Sequence, residues 1–322
     1  MVRLDDQLEQ LRHPDGYEAV ARRILTETIL CCRESGSNEV HQFAIEDIEF
    51  YQHNDPATLT LPDQMPEQVD VFGHRSPKQK RQGTWYFHGC GKLMLACAEG
   101  SYKGLDITFG PPENLCGILL RRIRHLATNK ITEGPCRIVD VFLSLTHHVK
   151  ARDLQQQLEQ EARLNIFDEE SALYVIEQKV PLHEEGRLSK MWRMPRFGLS
   201  FKEVQQGTLK YKFIKAPYRF THHRPGIGRV HLFCAVLDTL PEEMIKTGDH
   251  IRVLNSVIEQ LGLVLSSKAT LLSWLERYRD GLSYAPGGPD PLRAVAFAHR
   301  PGCVAFVFGY IRKFPYIHPA NG

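Results

Sequence analysis

The segment Val40–Tyr51 limits the folds open to this chain more than any other. Its apolar and polar residues alternate in part, with the period of two that is typical of a half-buried β-strand. The apolar members of the segment are Phe43, Ile45, Ile48 and Phe50. A strand of this length is stable only beside partner strands, so the fold must contain a sheet.

Other segments have the pattern of further strands and of helices. Strands are predicted at 84–88, 105–109 and 117–123, and helices at 17–32, 150–166 and 168–178. The fold class that follows is α+β, with flanking helices on a mostly antiparallel sheet.

A turn-rich cluster, His222-His223-Arg224-Pro225-Gly226, marks a domain boundary. We therefore expect one domain at 1–222 and a C-terminal α+β extension at 223–322. Within the extension we predict a strand at 230–237, helices at 241–261 and 268–278, and a hairpin formed by 294–298 and 304–310.

Composition describes an ordinary globular protein, with 42% hydrophobic and 24% charged residues. The formal net charge is only +2, so any binding to nucleic acid must come from a local basic patch. The eight cysteines form no CxxC pair, which predicts reduced thiols in a nuclear or cytoplasmic protein. His88, Cys90 and Cys97 match no standard zinc spacing, so no metal is expected.

The first residues are charged and lack the apolar core of a signal peptide. No apolar run approaches the roughly 20 residues that span a bilayer. These features predict a soluble intracellular protein with no membrane partner, and we expect a monomer.

Glu49 and Tyr51 lie two residues apart on the predicted strand, so their side chains share one face. A carboxylate beside an aromatic ring is suited to a pocket for a planar ligand, although a solvated strand face has the same pattern. Arg121–Arg124 and Arg75–Arg81 are basic segments that either hold phosphates or form a solvated surface. The usual phosphate-loop, dinucleotide, hydrolase and metalloprotease motifs are absent.

The order of several short motifs resembles the alkyladenine (3-methyladenine) DNA glycosylase family. That family has Glu-Thr-Glu-Ala-Tyr, then Ala-His-Ser, Gly-Thr-Leu-Tyr-Val-Tyr, Met-Asn-Ile, a strand ending in Leu-Leu-Arg, and a Gly-Pro turn. The corresponding segments here, collinear within about 14–220, are 47–51, 73–76, 83–88, 105–107, 116–121 and 134–135. Near the end of this range, 196–198 and 210–213 are similar to the closing strand segments of the family.

The resemblance implies a curved, mostly antiparallel sheet and an enzyme that rotates an alkylated purine out of duplex DNA. It implies that Glu49 is the general base and that Arg121 holds the active-site water and the phosphate side of the pocket. A plain stabilising ion pair between Glu49 and Arg121 is the alternative. No cofactor is implied, and the expected partner is damaged double-stranded DNA.

The remaining site residues also follow from the resemblance. The residues expected to bind the base are Tyr51, His74, Tyr86, His88 and Asp106. For His74 the alternative is a loop histidine that caps a turn, and for Tyr86 a core position. The residues expected to bind DNA phosphates are Arg75, Lys78, Lys80, Arg81, Arg122 and Arg124.

Two positions depart from the family pattern. His88 replaces a stacking tyrosine, and Asp106 replaces a pocket asparagine. An ionised aspartate has only acceptors, so we expect Asp106 to favour bases that present an amino group or a protonated nitrogen. The alternative is that Asp106 turns away into a salt bridge with Lys103 or Arg121.

The function predicted from the resemblance is a monofunctional DNA N-glycosylase of base-excision repair. Two alternatives stay open: a non-catalytic nucleic-acid-binding module on the same fold, and an N-glycosidase acting on RNA or free nucleotides.

Overall fold

The structure is a computed structural model that describes most, but not all, of the 322 residues. The described residues are 4–11, 16–54, 76–88, 103–110, 114–178, 191–195, 218–221, 229–261, 266–283, 304–306, 308–309 and 312.

Helices and strands alternate irregularly along the chain. The helices are α1 (Leu4–Gln10), α2 (Tyr17–Glu27), α3 (Pro135–Leu145), α4 (Ala151–Gln160), α5 (Arg229–Leu237), α6 (Glu242–Thr247), α7 (His250–Leu261) and α8 (Lys268–Ser283). The strands are β1 (Thr28–Arg33), β2 (Val40–Asn54), β3 (Trp85–Phe87), β4 (Leu105–Thr108), β5 (Asn114–His125), β6 (Ile131–Glu133), β7 (Leu173–Glu177), β8 (Trp192–Pro195) and β9 (Tyr218–Thr221).

The chain divides into two compact units. The first holds α1–α4, β1–β7 and β9, and the second holds β8, α5–α8 and the described helical residues beyond 303. In the first unit the strands lie in the order β3–β4–β5–β2–β1–β7, with β6 beside β5 and β9 beside β2. Each of these pairings is antiparallel, and the sheet curls into a half-barrel. The predicted α+β class is confirmed.

One face of the central strands is apolar and carries the core of the first unit. Ile48, Phe50, Ile118 and Ile107 are at most 1% exposed and pack with residues of α1 and α2. The ring of Tyr17 on α2 stacks on Phe50 with ring centres 4.3 Å apart. The alternation seen in the sequence therefore separates a core face from a second face, which carries the candidate site.

The β2–β5 pairing contains a β-bulge around Glu46, where the register shifts between Ile45 and Ile48. Glu46 is 2% exposed, and its carboxylate accepts hydrogen bonds from Arg122 Nε at 3.0 Å and Arg124 Nε at 2.6 Å. Two guanidinium groups thus compensate a carboxylate that would otherwise be costly to bury.

This buried ion-pair cluster gives a stability prediction. Glu46→Ala removes the buried carboxylate of Arg122 and leaves it the more exposed Glu133 at 3.6 Å, which is expected to lower the free energy of unfolding by about 3–5 kcal/mol. Glu46→Gln keeps one acceptor oxygen and is expected to lower it by less. Urea unfolding of the two variants measures both changes, and equal losses would contradict a role for the hydrogen bonds.

Two helix predictions in the first unit are wrong, because some of the residues concerned pair as strands in the sheet. The helix predicted at 17–32 ends at Glu27, because Thr28–Arg33 pairs as β1 between β2 and β7. The helix predicted at 168–178 is instead strand β7 (Leu173–Glu177). The strands predicted at 40–51, 84–88, 105–109 and 117–123 are confirmed as β2–β5, and the helix at 150–166 is shorter, as α4.

The second unit has its own apolar core, and three predictions for this part of the chain are corrected. Val230–Leu237 was predicted to be a strand, yet it lies in helix α5, all of whose residues from Val230 on are buried. A run that is apolar on every side lacks the periodicity that separates a buried helix from a buried strand. Trp192 of β8 packs in this core, and β8 belongs to the second unit.

The helix predicted at 241–261 is two helices that meet at Gly248, where a Cβ would lie 2.1 Å from the carbonyl oxygen of Met244. The helix predicted at 268–278 is confirmed as α8. Residues 304–306 and 308–309 are helical and not part of a hairpin, while 294–298 lies outside the described residues. Of the helices described, none is long and apolar enough to cross a membrane.

The cysteines that the structure describes are free thiols, namely Cys31, Cys32, Cys116, Cys136 and Cys234. Burial raises the pKa of the Cys31 thiol to about 11 and that of Cys32 to about 12, so both stay protonated and unreactive near neutral pH.

Candidate functional site

The face of the sheet opposite the core carries a row of four side chains from four neighbouring strands. Tyr86 on β3 pairs with Asp106 on β4, Asp106 pairs with Leu119 on β5, and Leu119 pairs with Glu49 on β2. Residues directly opposite each other in antiparallel strands project from the same face. The pairing therefore brings together residues that are up to 70 positions apart in the chain.

Glu49 forms one end of the row and is completely buried, at 0% exposure. Its Oε2 accepts hydrogen bonds from Arg121 Nη1 at 3.0 Å and from the Tyr51 hydroxyl at 3.1 Å. Arg121, with 19% of its side chain exposed, supplies the charge that makes the buried carboxylate tolerable. The predicted shared face of Glu49 and Tyr51 is confirmed, and so is the ion pair that the stabilising alternative required.

Asp106 and His88 form the other end. His88 Nε2 lies 2.5 Å from Asp106 Oδ2, and the two residues are 5% and 1% exposed. The partners that the salt-bridge alternative named are engaged elsewhere, Lys103 with Asp140 at 2.6 Å and Arg121 with Glu49. The second oxygen of Asp106, Oδ1, is buried, and no group among the described residues forms a hydrogen bond with it.

Two glycines make room for the His88–Asp106 pair. A Cβ on Gly117 would lie 2.7 Å from Asp106 Oδ2, and a Cβ on Gly104 would lie 3.1 Å from His88 Nδ1. The absence of side chains at these two positions therefore leaves room for the imidazole and the carboxylate.

Tyr51 links the two ends, since its ring also meets the His88 ring edge-on with centres 6.2 Å apart. The ring of Tyr86 lies 5.7 Å from that of His88. Strands are about 4.8 Å apart, so the backbones at Glu49 and Asp106 are separated by about 10 Å with Leu119 between them. The site thus consists of two ionisable pairs, Glu49 with Arg121 and Asp106 with His88, on either side of the apolar side chain of Leu119. Aromatic rings lie beside these pairs.

The predicted phosphate contacts divide into groups that differ in exposure. Arg122 is 3% exposed and bound to Glu46, which does not fit a phosphate contact, and Arg124 is bound to the same carboxylate. Lys78 pairs with Glu159 at 2.5 Å. Lys80 and Arg81 are exposed. His74 and Arg75 lie outside the described residues, as do Cys90 and Cys97.

A second ionisable cluster, which the sequence reading missed, lies at the far end of β2 and β5. His41 Nε2 lies 3.8 Å from carboxylate oxygens of both Glu34 and Glu39, and these three residues have the spacing of metal ligands. His41 Nδ1 lies 3.2 Å from His125 Nε2. The nearest sequence signal was a histidine at the start of one strand and another at the end of its partner.

The tautomers of His41 and His125 are assigned from the hydrogen bonds of this cluster. The backbone N–H of Thr128 donates to His125 Nδ1, so the proton of neutral His125 is on Nε2 and points at His41 Nδ1. The proton of neutral His41 is then on Nε2, facing the carboxylates. A metal on His41 Nε2 would require the opposite tautomer, which would set two N–H groups against each other.

The contact between His125 and His41 predicts a pH dependence of stability. Desolvation, and then the nearby His41, lower the pKa of His125, so the unfolded chain binds more protons than the folded one below the ordinary value of 6.5. Stability is therefore expected to fall as the pH falls through 6.5 towards the folded-state pKa of His125. Urea unfolding between pH 7.5 and 5.5 should show a smaller decline for His125→Gln than for wild type.

The exposed His147 provides a matched control for this prediction. His147→Gln should keep the wild-type decline in stability. An equal decline in the His125 and His147 variants would contradict the predicted role of His125.

Comparison with known proteins adds little to this geometry. No family model matches the chain. It is similar to an uncharacterized protein, L759, of Acanthamoeba polyphaga mimivirus, with 26% identity over 186 residues that cover 54% of this chain and 76% of that protein.

Proposed function

We propose that this protein is a monofunctional N-glycosylase that takes a modified purine out of duplex DNA and hydrolyses its glycosidic bond. The observation that supports the proposal is the meeting of residues from separate motifs in one buried network. These residues are Glu49, Tyr51, Tyr86, His88, Asp106 and Arg121. The motif resemblance named all six, and it made no use of their distances.

In this proposal Glu49 is the general base. Its carboxylate takes a proton from the water that attacks the anomeric carbon, and its charge stabilises the cationic sugar of the transition state. Arg121 and Tyr51 hold the carboxylate in one orientation through the two hydrogen bonds to Oε2. Because Glu49 is fully buried, water and sugar must reach it past Arg121 and Tyr51, which are both half-buried.

The aromatic residues provide the surface for the base. The rings of Tyr51 and Tyr86 both lie within ring-contact distance of His88, and each stacking contact with a base typically contributes about 1–3 kcal/mol. The partner is damaged double-stranded DNA, engaged by a monomer, since one extruded nucleotide occupies one pocket. Such a substrate is found in the nucleus, or in the cytoplasm of a cell that has no nucleus.

One observation favours a second candidate, a non-catalytic nucleic-acid-binding module. Glu49 is paired with Arg121 at 3.0 Å, as a buried carboxylate that serves stability alone would be. An N-glycosidase for RNA or free nucleotides would use the same residues, and competition by RNA or nucleotides separates it from a DNA enzyme.

Substitution of Glu49 tests the proposal. Glu49→Gln keeps an acceptor for Arg121 and Tyr51 but cannot take a proton, so base excision is expected to fall by about a hundred- to ten-thousand-fold. The assay incubates alkylated duplex DNA with the protein and then cleaves abasic sites with alkali.

Glu46→Gln is the matched control, because it also replaces a buried, arginine-bound glutamate of β2. It should lose stability and keep excision at temperatures where it is folded. If Glu49→Gln folds and retains full activity, Glu49 is not the base. If the wild type binds damaged DNA and excises nothing, the binding module is favoured.

Lys80 and Arg81 are the exposed basic side chains next to the site strands, so they test the DNA contact. The double change Lys80→Ala/Arg81→Ala should weaken binding and reduce the slope of log affinity against log salt by about 2, since each lost phosphate contact releases about one fewer counterion. Lys78→Ala is the control with a smaller expected change, because Lys78 is paired with Glu159. An unchanged slope in the double variant would place this loop off the DNA.

A further inference from the structure

The hairpin that joins β1 to β2 carries three side chains of the kinds that bind metal ions. Glu34 and Glu39 lie at the two ends of its turn, where the N–H of Glu34 donates to the carbonyl oxygen of Glu39 at 3.0 Å. His41 follows Glu39 by two residues, so the two side chains share a face of the strand. One possible ligand atom of each residue lies within 4.8 Å of the others.

The two carboxylates of this hairpin carry charge that the neutral protein does not compensate. Among the described residues, the ion pairs of Glu34 and Glu39 are with His41 alone, at 3.8 Å each. A neutral His41 supplies no positive charge, and two neighbouring carboxylates repel each other. A divalent cation between them would remove this repulsion.

The imidazole nitrogen that faces the carboxylates is buried. No group of the described residues forms a hydrogen bond with His41 Nε2, and 3.8 Å is too long for one to either carboxylate. A buried N–H without an acceptor is costly, whereas a metal ion would use the lone pair of this nitrogen. Two ligand atoms of one zinc ion lie at most about 4.3 Å apart, because each bond is about 2.0–2.2 Å long. The separation of 3.8 Å is within this limit.

We propose that Glu34, Glu39 and His41 bind a divalent transition-metal ion of the zinc class, and that His125 orients His41 for it. The imidazole ligand disfavours Ca²⁺ and Mg²⁺, which prefer oxygen ligands. Three protein ligands leave a fourth position for water. His41 lies eight positions before Glu49 on β2, about 26 Å away at the usual rise of a strand, so the metal site does not rest on the glycosylase activity.

Metal binding must move the protons of both imidazoles. The proton of His41 shifts to Nδ1 and is donated to His125 Nε2, 3.2 Å away. His125 then carries its own proton on Nδ1, where the hydroxyl of Thr128 lies at 3.2 Å and can accept it. With both tautomers changed, the two histidines no longer set N–H against N–H. The cost is the hydrogen bond from the backbone N–H of Thr128, an exposed residue whose N–H can bind water instead.

His125 is a positioning residue in this site and not a ligand. A histidine that binds a metal almost always donates its other N–H to a fixed acceptor, which sets the orientation of the ring. The ring of His125 is fixed against Phe43, its partner across the β2–β5 pairing, with ring centres 5.0 Å apart and Phe43 only 3% exposed. The sheet thus holds the acceptor of His41 in place.

Calorimetric titration of Zn²⁺ into the full chain tests the ligands. Wild type is expected to bind one zinc ion more than either His41→Gln or the double variant Glu34→Gln/Glu39→Gln. His125→Gln should keep the site and weaken it about 10- to 100-fold, as changes next to a ligand usually do. His147→Gln, which changes an exposed histidine, should bind as wild type does. An excess of Ca²⁺ should leave zinc bound.

Nitrogen NMR of the imidazole rings gives a readout that zinc bound elsewhere on the chain would not produce. Zn²⁺ should move His41 Nε2 to the chemical shift of a metal-bound nitrogen. The same titration should change His125 from the Nε2–H to the Nδ1–H tautomer, with both changes complete at the same zinc concentration.

Each other outcome overturns a stated part. If His41→Gln or the double glutamate variant binds as many zinc ions as wild type with equal affinity, this metal site is wrong. The double variant decides the matter if His41→Gln fails to fold. If Ca²⁺ displaces zinc at similar concentration, the zinc class is wrong. If His125 keeps its tautomer when zinc binds and His125→Gln keeps the affinity, the orienting role of His125 is wrong.

Discussion

The long antiparallel pairing of β2 with β5 is the constraint on which the rest of the first unit depends. It runs from Phe43 opposite His125 to Asn54 opposite Asn114. One face of this ribbon carries Ile48, Phe50 and Ile118 into the core, and the other carries Glu49 and Arg121. A shift of one residue in this register would exchange the two faces, exposing the apolar residues and burying charges in the core.

A buried polar face is costly, and this one is stabilised by direct pairing of its members. Arg121 compensates Glu49, two arginines at the bulge compensate Glu46, and His88 lies at hydrogen-bond distance from Asp106. The Glu46 cluster has the features of a structural ion pair, since it holds the bulge and is displaced from the row of site residues. The Glu49 and Asp106 pairs instead lie on either side of Leu119, and Tyr51 contacts both Glu49 and the ring of His88.

The two ends of the row differ in what binds the carboxylate. Glu49 accepts hydrogen bonds from a guanidinium and a phenol hydroxyl, whereas Asp106 lies against an imidazole. In the proposed function, the exposed Lys80 and Arg81 would supply the local positive charge for DNA binding. A local patch is needed because the net charge of the chain is only +2.

Local pattern in the sequence determined the strand β2, the shared face of Glu49 and Tyr51, and the strands that carry Tyr86, Asp106 and Arg121, because a period of two acts within a few residues. It failed for residues 28–33 and 173–177, whose pairing with each other decides their conformation, and for 230–237, where uniform apolarity carries no period. Tertiary structure alone decided that His88 meets Asp106 and that Arg122 is buried on Glu46. Those contacts join residues 18 and 76 positions apart, and only the register of the sheet and the bulge bring them together.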